Sequence, residues 1–165
     1  MANDSVAATM ARMVEQSAKK MYRGSVTLSD VVGISDDELE ALYGVGYHLF
    51  NWGKYQPALD IFSVLTLYSP FKGHYWRAAG AVNQAMKRYK EAVMAYDMAL
   101  TNNSRDAVSL TYRGESLIAL GDIPGGVRDL KKAVECGEAV AAYAVWVKRA
   151  QTLLSVRESA PPSGQ

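Results

Sequence analysis

The chain has 165 residues, 49% of them hydrophobic, with 18 basic against 17 acidic side chains. That length fits one domain of ordinary size with a sizeable core, and the balanced charge excludes the basic face on which nucleic-acid binding depends. The single cysteine, Cys136, has no partner for an internal disulfide, which fits a reducing compartment.

The first predicted element is an N-terminal helix. Val6, Met10, Val14, Ala18 and Met21 recur at steps of four and three, which is one helical face, and Met13 widens it. Lys19, Lys20 and Arg23 cluster near its end, where cations suit the helix dipole. Such a methionine-bearing face serves equally as a cap on the downstream helices or as a dimer contact. Asp4 and Glu15 interrupt the apolar run, so the segment is not a secretory signal. No stretch has the roughly 20 apolar residues that cross a bilayer, so membrane insertion is not expected. Residues 1–34 are assigned to this region.

Ser35-Asp36-Asp37-Glu38 has the form of a capping box and announces a helix. From there a period of 34 residues governs the chain. Tyr55 matches Tyr89, Ala58 matches Ala92 and Gly126, and Phe62 matches Tyr96 and Leu130. Gly46, Gly80 and Gly114 share one phase, and Leu42, Trp76 and Leu110 another. Three repeats of two helices are expected at about 39–72, 73–106 and 107–140. Within each, the first-helix glycine, such as Gly80, is expected opposite a small residue of the second helix, such as Ala92, so that the two approach closely. Gly53 and Gly121 fit the turns, where a positive φ is cheap for glycine, and Pro70 stands where a helix should stop. Gly44 and Gly46 give only G-x-G, and what precedes them is a helix cap, so a dinucleotide loop is excluded.

The third copy departs from the pattern at Arg113 and Gly126, and a looser hairpin is expected there. Beyond it, Ala139, Tyr143, Trp146, Ala150 and Leu153 share one face of a terminal helix, with Lys148, Arg149 and Gln151 elsewhere. A wet outer side is what the end of a solenoid needs. Residues 35–156 therefore form the repeat domain and 157–165, "RESAPPSGQ", a frayed tail with almost nothing to bury.

The period, with Trp76, Ala79, Gly80, Ala92 and Tyr96 in the second copy and Leu42, Gly46, Ala58, Phe62 and Pro70 in the first, resembles the tetratricopeptide repeat. The fold class this implies is all-α: three tandem helical hairpins with flanking N- and C-terminal helices. In that family a second stripe of the first helix lines a concave groove. Carried onto this chain it is Glu40, Tyr43, Tyr47 and Phe50 in the first repeat, then His74, Arg77, Ala81 and Gln84. In the third repeat it is Val108, Thr111, Glu115 and Ile118, with Tyr112 beside them. Neither Tyr43 nor Tyr47 is expected to pack against the paired helix. Three large rings in line, each able to bury on the order of 150 Å², suggest a binding surface; the alternative is that the N-terminal helix covers them. The family's carboxylate-clamp positions carry Tyr43, Tyr47, Ala78, Val108 and Tyr112. None is a clamp residue, so the groove favours apolar ligands.

A closer resemblance covers residues 24–140. "TL-x-D-x-x-G-I-S" leads into "LY-x-x-x-Y", then "F-x-x-L-x-x-Y", then "Y-x-x-A-x-x-x-Y". In this order the marks are similar to those of the class II chaperones of bacterial type III secretion. The resemblance implies a non-enzymatic cytoplasmic protein without cofactors. It would hold an extended segment of a hydrophobic, pore-forming translocator in its groove and keep it soluble before export. Members often dimerise through the N-terminal region, and some bind a transcriptional regulator. A generic tetratricopeptide adaptor or regulatory scaffold is the other reading. An enzyme is disfavoured: His48 and His74 lie in different repeats, Cys136 has no histidine near it in sequence, and no metal spacing appears. His48, one residue off the stripe, reads as a surface histidine.

Overall fold

The computed structural model describes residues 26–159. The predicted N-terminal helical face, Val6 to Met21, lies outside the described residues. Among those described there is no strand. A short helix α1 (Leu28–Val32) precedes three hairpins: α2 (Asp36–Asn51) with α3 (Tyr55–Tyr68), α4 (Gly73–Ala85) with α5 (Tyr89–Asn102), and α6 (Ala107–Ala119) with α7 (Ile123–Gly137). A 3-10 turn (Ala141–Tyr143) then leads into α8 (Ala144–Ser159). The second and third hairpins open at Gly73 and Ala107, as the period predicts; the first opens at Asp36, because the Ser35–Glu38 capping box is complete.

The lead into the repeats is a chain of caps. The Thr27 side chain accepts from the Asp30 amide, and Asp30 returns the bond to the Thr27 amide at 2.7 Å. Gly33 closes α1 in the left-handed region (φ 81°), and Ser35 opens the next helix. Ser29, buried, meets the Ser69 hydroxyl at 3.1 Å, which ties α1 to the end of α3.

Each hairpin turn is a Schellman motif. Gly53 N donates to Phe50 O and Lys54 N to Leu49 O; the same pair of bonds recurs at Lys87–Arg88 and at Gly121–Asp122. The central residue is left-handed in all three, with φ of 73° at Gly53, 60° at Lys87 and 90° at Gly121. The turn geometry is thus common to the repeats even where glycine is not.

The interior holds two clusters. Leu39, Phe62, Leu65, Tyr75 and Val82 fill the first, and Leu100, Leu110, Leu130, Ala133 and Ala150 the second. The helix glycines act differently from expectation. A Cβ on Gly80 would meet the Tyr96 ring at 2.6 Å, and one on Gly46 the Phe62 ring at 2.8 Å. It is the aromatic midway along the second helix, not Ala58 or Ala92, that needs the glycine. Only in the third hairpin do the two small residues face each other, where a Cβ on Gly114 would lie 3.0 Å from the Gly126 carbonyl oxygen. That hairpin is therefore not loose: two glycines bring α6 and α7 backbone to backbone. Arg113, the other departure, reaches across to Asp129 (Nε–Oδ2 2.6 Å, Nη2–Oδ1 2.8 Å) and to Asp97 (Nη1–Oδ1 2.5 Å), so it joins α5, α6 and α7.

The terminal helix also differs in detail. It begins at Ala144, so Ala139 lies in the preceding turn and Tyr143 in the 3-10 segment. Its buried face is Val147 and Ala150, flanked by Leu153 and Leu154. Gly137 permits this, since a Cβ there would collide with the Val147 side chain.

Candidate functional site

The first helices of the three repeats and α8 line one face, because each successive hairpin presents the same stripe one period later. Seven of the candidate groove residues meet there. Tyr43, Tyr47 and Phe50 of α2, Arg77 and Ala81 of α4, and Val108 and Tyr112 of α6 surround a cavity of about 240 Å³. Phe62, Ala78 and Trp146 complete it. Trp146 lies one period beyond Tyr112, as Tyr112 does beyond Ala78. Carrying the 34-residue step into the terminal helix would have found it. The start of that helix, read from its apolar face alone, obscured the match. Larger hollows lie elsewhere, one of about 530 Å³ between Leu59, Trp76, Met94 and Met98. The smaller cavity is the candidate because rings from several helices converge on it.

Its walls are graded. Tyr47 is 51% exposed and lies at the mouth. Tyr43 is half-buried and does pack on the paired helix, contrary to expectation: its ring centroid is 5.6 Å from that of Phe62 and 5.8 Å from that of Tyr75. The fourfold spacing puts Tyr43 one turn before Tyr47 on one stripe, but Tyr43 sits deeper, beside the buried Phe62. Burial raises the Tyr43 phenol pKa above its ordinary value. Phe50 leans on Tyr55 at 5.7 Å. At the far wall Tyr112 stacks on Tyr96 at 6.1 Å, receives the Trp146 indole N–H at 3.4 Å, and lies under the Arg149 guanidinium at 5.5 Å.

Most of the remaining stripe residues form a polar rim. Glu40 Oε1 accepts from the Tyr75 hydroxyl at 2.9 Å and lies 3.1 Å from His74 Nε2 and 3.5 Å from Lys72 Nζ. Lys72 also pairs with Asp36 at 2.8 Å. Burial works against the Glu40 carboxylate, yet Tyr75, His74 and Lys72 together hold its pKa below the ordinary value. His74 stands edge-on to Tyr43 at 5.3 Å. Gln84 donates to Glu115 and accepts from Tyr96, each at 2.9 Å, and Glu115 in turn receives two bonds from Arg149. Ile118, packed against the second core cluster, stands outside this rim, and so does Thr111. It is fully buried, and its hydroxyl turns back to Ala107 O at 2.8 Å, so it presents nothing to the groove.

Among the described residues Arg77 is the one charged side chain lining the cavity. Its Nη1 donates to Asp106 Oδ2 at 2.9 Å, and Asp106 caps α6 through the Ser109 amide and hydroxyl. His48 is exposed and lies beside Trp52. Among the described residues no group of His, Cys, Asp and Glu is arranged to hold a metal ion, and no helix is long and apolar enough to cross a membrane.

Residues 39–70, the first hairpin, match the tetratricopeptide repeat family model. Over 114 residues, 69% of this chain, the sequence is 29% identical to the chaperone protein SicA of Salmonella typhimurium. The match spans 65% of SicA, slightly under two thirds of its length. A type III secretion complex from Aeromonas hydrophila superposes with a TM-score of 0.82 at 23% identity, covering 86% of this chain and 95% of that one. PcrH, solved in complex with the chaperone-binding region of PopD, superposes with a TM-score of 0.72 at 26% identity, covering 75% and 93%. By its repeat period, its capped lead and its fold, the chain is similar to the tetratricopeptide-repeat chaperones of bacterial type III secretion.

Proposed function

We propose that this chain is a cytoplasmic secretion chaperone whose groove holds an extended segment of a hydrophobic translocator and keeps that protein soluble before export. The observation that carries the reading is the cavity between Tyr43, Tyr47, Phe50, Val108, Tyr112 and Trp146. Rigid rings supply large contact area at low entropy cost, and the cavity suits a spaced apolar anchor rather than a charged terminus. The PcrH complex with the chaperone-binding region of PopD, on a similar fold, supports a segment of a translocator as the ligand. Glu40, His74 and Gln84 are already held by hydrogen bonds within the protein, so they serve as a polar rim that keeps the groove open.

The test is co-expression with a translocator encoded in the same secretion locus. The translocator should move from the insoluble to the soluble fraction and co-purify with this chain. It should stay insoluble with a chain carrying Tyr47→Asp, a change at an exposed ring that leaves the core intact. A translocator that remains insoluble beside the wild-type chain, while a folded partner is captured instead, would favour a general adaptor.

A further inference from the structure

We propose that Arg77 is a specificity-determining residue of the groove: its free guanidinium edge donates a hydrogen bond to a main-chain carbonyl of the bound segment. The proposal rests on the groove being the client site. Among the described residues Arg77 forms one hydrogen bond, Nη1 to Asp106 Oδ2 at 2.9 Å. A guanidinium carries five N–H donors in a fixed fork, so most of its donors are without a protein acceptor. The side chain is 34% exposed and lines the cavity between Tyr43, Ala78, Val108 and Tyr112. Solvent reaches it while the groove is empty. A segment that fills the groove with apolar anchors expels that water and strands the donors, unless it brings an acceptor of its own.

The charge of the acceptor is set by Asp106. The side chain of this carboxylate is only 7% exposed. It also holds the start of α6 through the Ser109 amide and hydroxyl. Its second oxygen, Oδ1, is buried with no hydrogen-bond partner. Arg77 is thus already neutralised by an anion that is poorly solvated and fixed in place. A client carboxylate on the same guanidinium would set a second anion close to the first, at the cost of like-charge repulsion in a partly dry site. A neutral carbonyl takes the free donors without that penalty. An extended segment offers one between every two side chains, turned sideways from the alternating anchors. Apolar side chains would then enter beside the rings of α2 and beside Val108 and Trp146, with the carbonyl between them over Arg77. The groove would read backbone conformation as well as side-chain size.

The test is a double-mutant cycle on the complex. The probes are short synthetic peptides tiling the translocator that co-purifies with the wild-type chain, each backbone amide in turn replaced by an ester, whose carbonyl is a weaker acceptor. Affinity is measured for wild type and for Arg77→Lys, which keeps the charge beside Asp106 but loses the fork. One ester position should weaken binding to wild type by about tenfold or more and to Arg77→Lys by under about threefold. Equal losses on both proteins at every position would overturn the proposal. So would dependence on an acidic peptide side chain, seen as loss on Asp→Asn or Glu→Gln replacement and a steep fall in affinity with salt. Wild-type protein that binds none of the peptides would instead sink the groove reading itself. The ester scan on wild type alone still decides whether any carbonyl matters, should Arg77→Lys melt far below wild type.

Discussion

Tyr43 and Tyr47 lie one turn apart on the same stripe, but the structure assigns them different work. Tyr43 packs on Phe62 and Tyr75 of the core, whereas Tyr47 is 51% exposed at the cavity mouth. Truncating a fully buried aromatic costs about 3–5 kcal/mol; Tyr43 is half-buried, so Tyr43→Ala should cost about 2–3 kcal/mol. At this chain length each kcal/mol lowers Tm by about 2–4 °C, so Tyr43→Ala should melt several degrees lower. Tyr47→Ala removes little packing and should stay within about 0.5 kcal/mol of wild type. Binding should reverse the emphasis. A ring that becomes covered at an interface centre contributes about 2 kcal/mol or more, so Tyr47→Ala should weaken a translocator segment roughly thirtyfold. Melting by circular dichroism and titration of a labelled segment on the same two variants give both numbers. If Tyr47→Ala melts as low as Tyr43→Ala, the ring is core and something within the molecule covers it, as the alternative with the N-terminal helix requires. If it melts like wild type and binds like wild type, the groove reading fails at this residue.

Lys87 holds the left-handed turn position that glycine holds at Gly53 and Gly121. Relief of that backbone penalty should make Lys87→Gly more stable by about 0.5–1 kcal/mol, after allowing for the greater freedom of glycine in the unfolded chain; a lower Tm would contradict the turn assignment. Gly80→Ala should lose about 1–3 kcal/mol by driving a Cβ into the Tyr96 ring. Gly44→Ala on α2, where a Cβ meets nothing within 4 Å, should gain about 0.5–1 kcal/mol from helix propensity, and denaturant midpoints separate the two. Burial raises the Tyr96 phenol pKa above its ordinary 10.0. A group raised in the folded state contributes stability that is intact below the unfolded pKa and lost as pH rises past it. Tm should therefore begin to fall above about pH 10, and fall less steeply in Tyr96→Phe; parallel pH profiles for the two proteins would show that Tyr96 does not drive the alkaline loss.

The parts of this molecule that were legible in the sequence are those that a period specifies. A 34-residue repeat fixes where hairpins begin, and the second and third open at Gly73 and Ala107 as the spacing requires. The convergence of seven stripe residues on one cavity was legible for the same reason. What the period hides is depth. Tyr43 and Tyr47 are nearly equivalent on a helical wheel, but depth depends on what faces each from other elements, here the Phe62 ring and His74. Thr111 fails likewise: it is fully buried, and its hydroxyl bonds back to Ala107 O within its own helix.

The irregular residues are where the repeats stop being interchangeable. Arg113 replaces a small residue and, by reaching Asp97 and Asp129, ties the third hairpin to the second. Arg77 has no counterpart at Tyr43 or Thr111, one period to either side, and it places a single tethered charge among the rings. A perfectly periodic solenoid would present the same pocket at every step and let a ligand slide by one repeat. Here the large rings come from α2, the tethered guanidinium from α4 and the valine and indole wall from α6 and α8. On the proposed function, an extended segment would meet all three walls together in a single register. The period builds the groove, and the departures from it make its walls differ from one helix to the next.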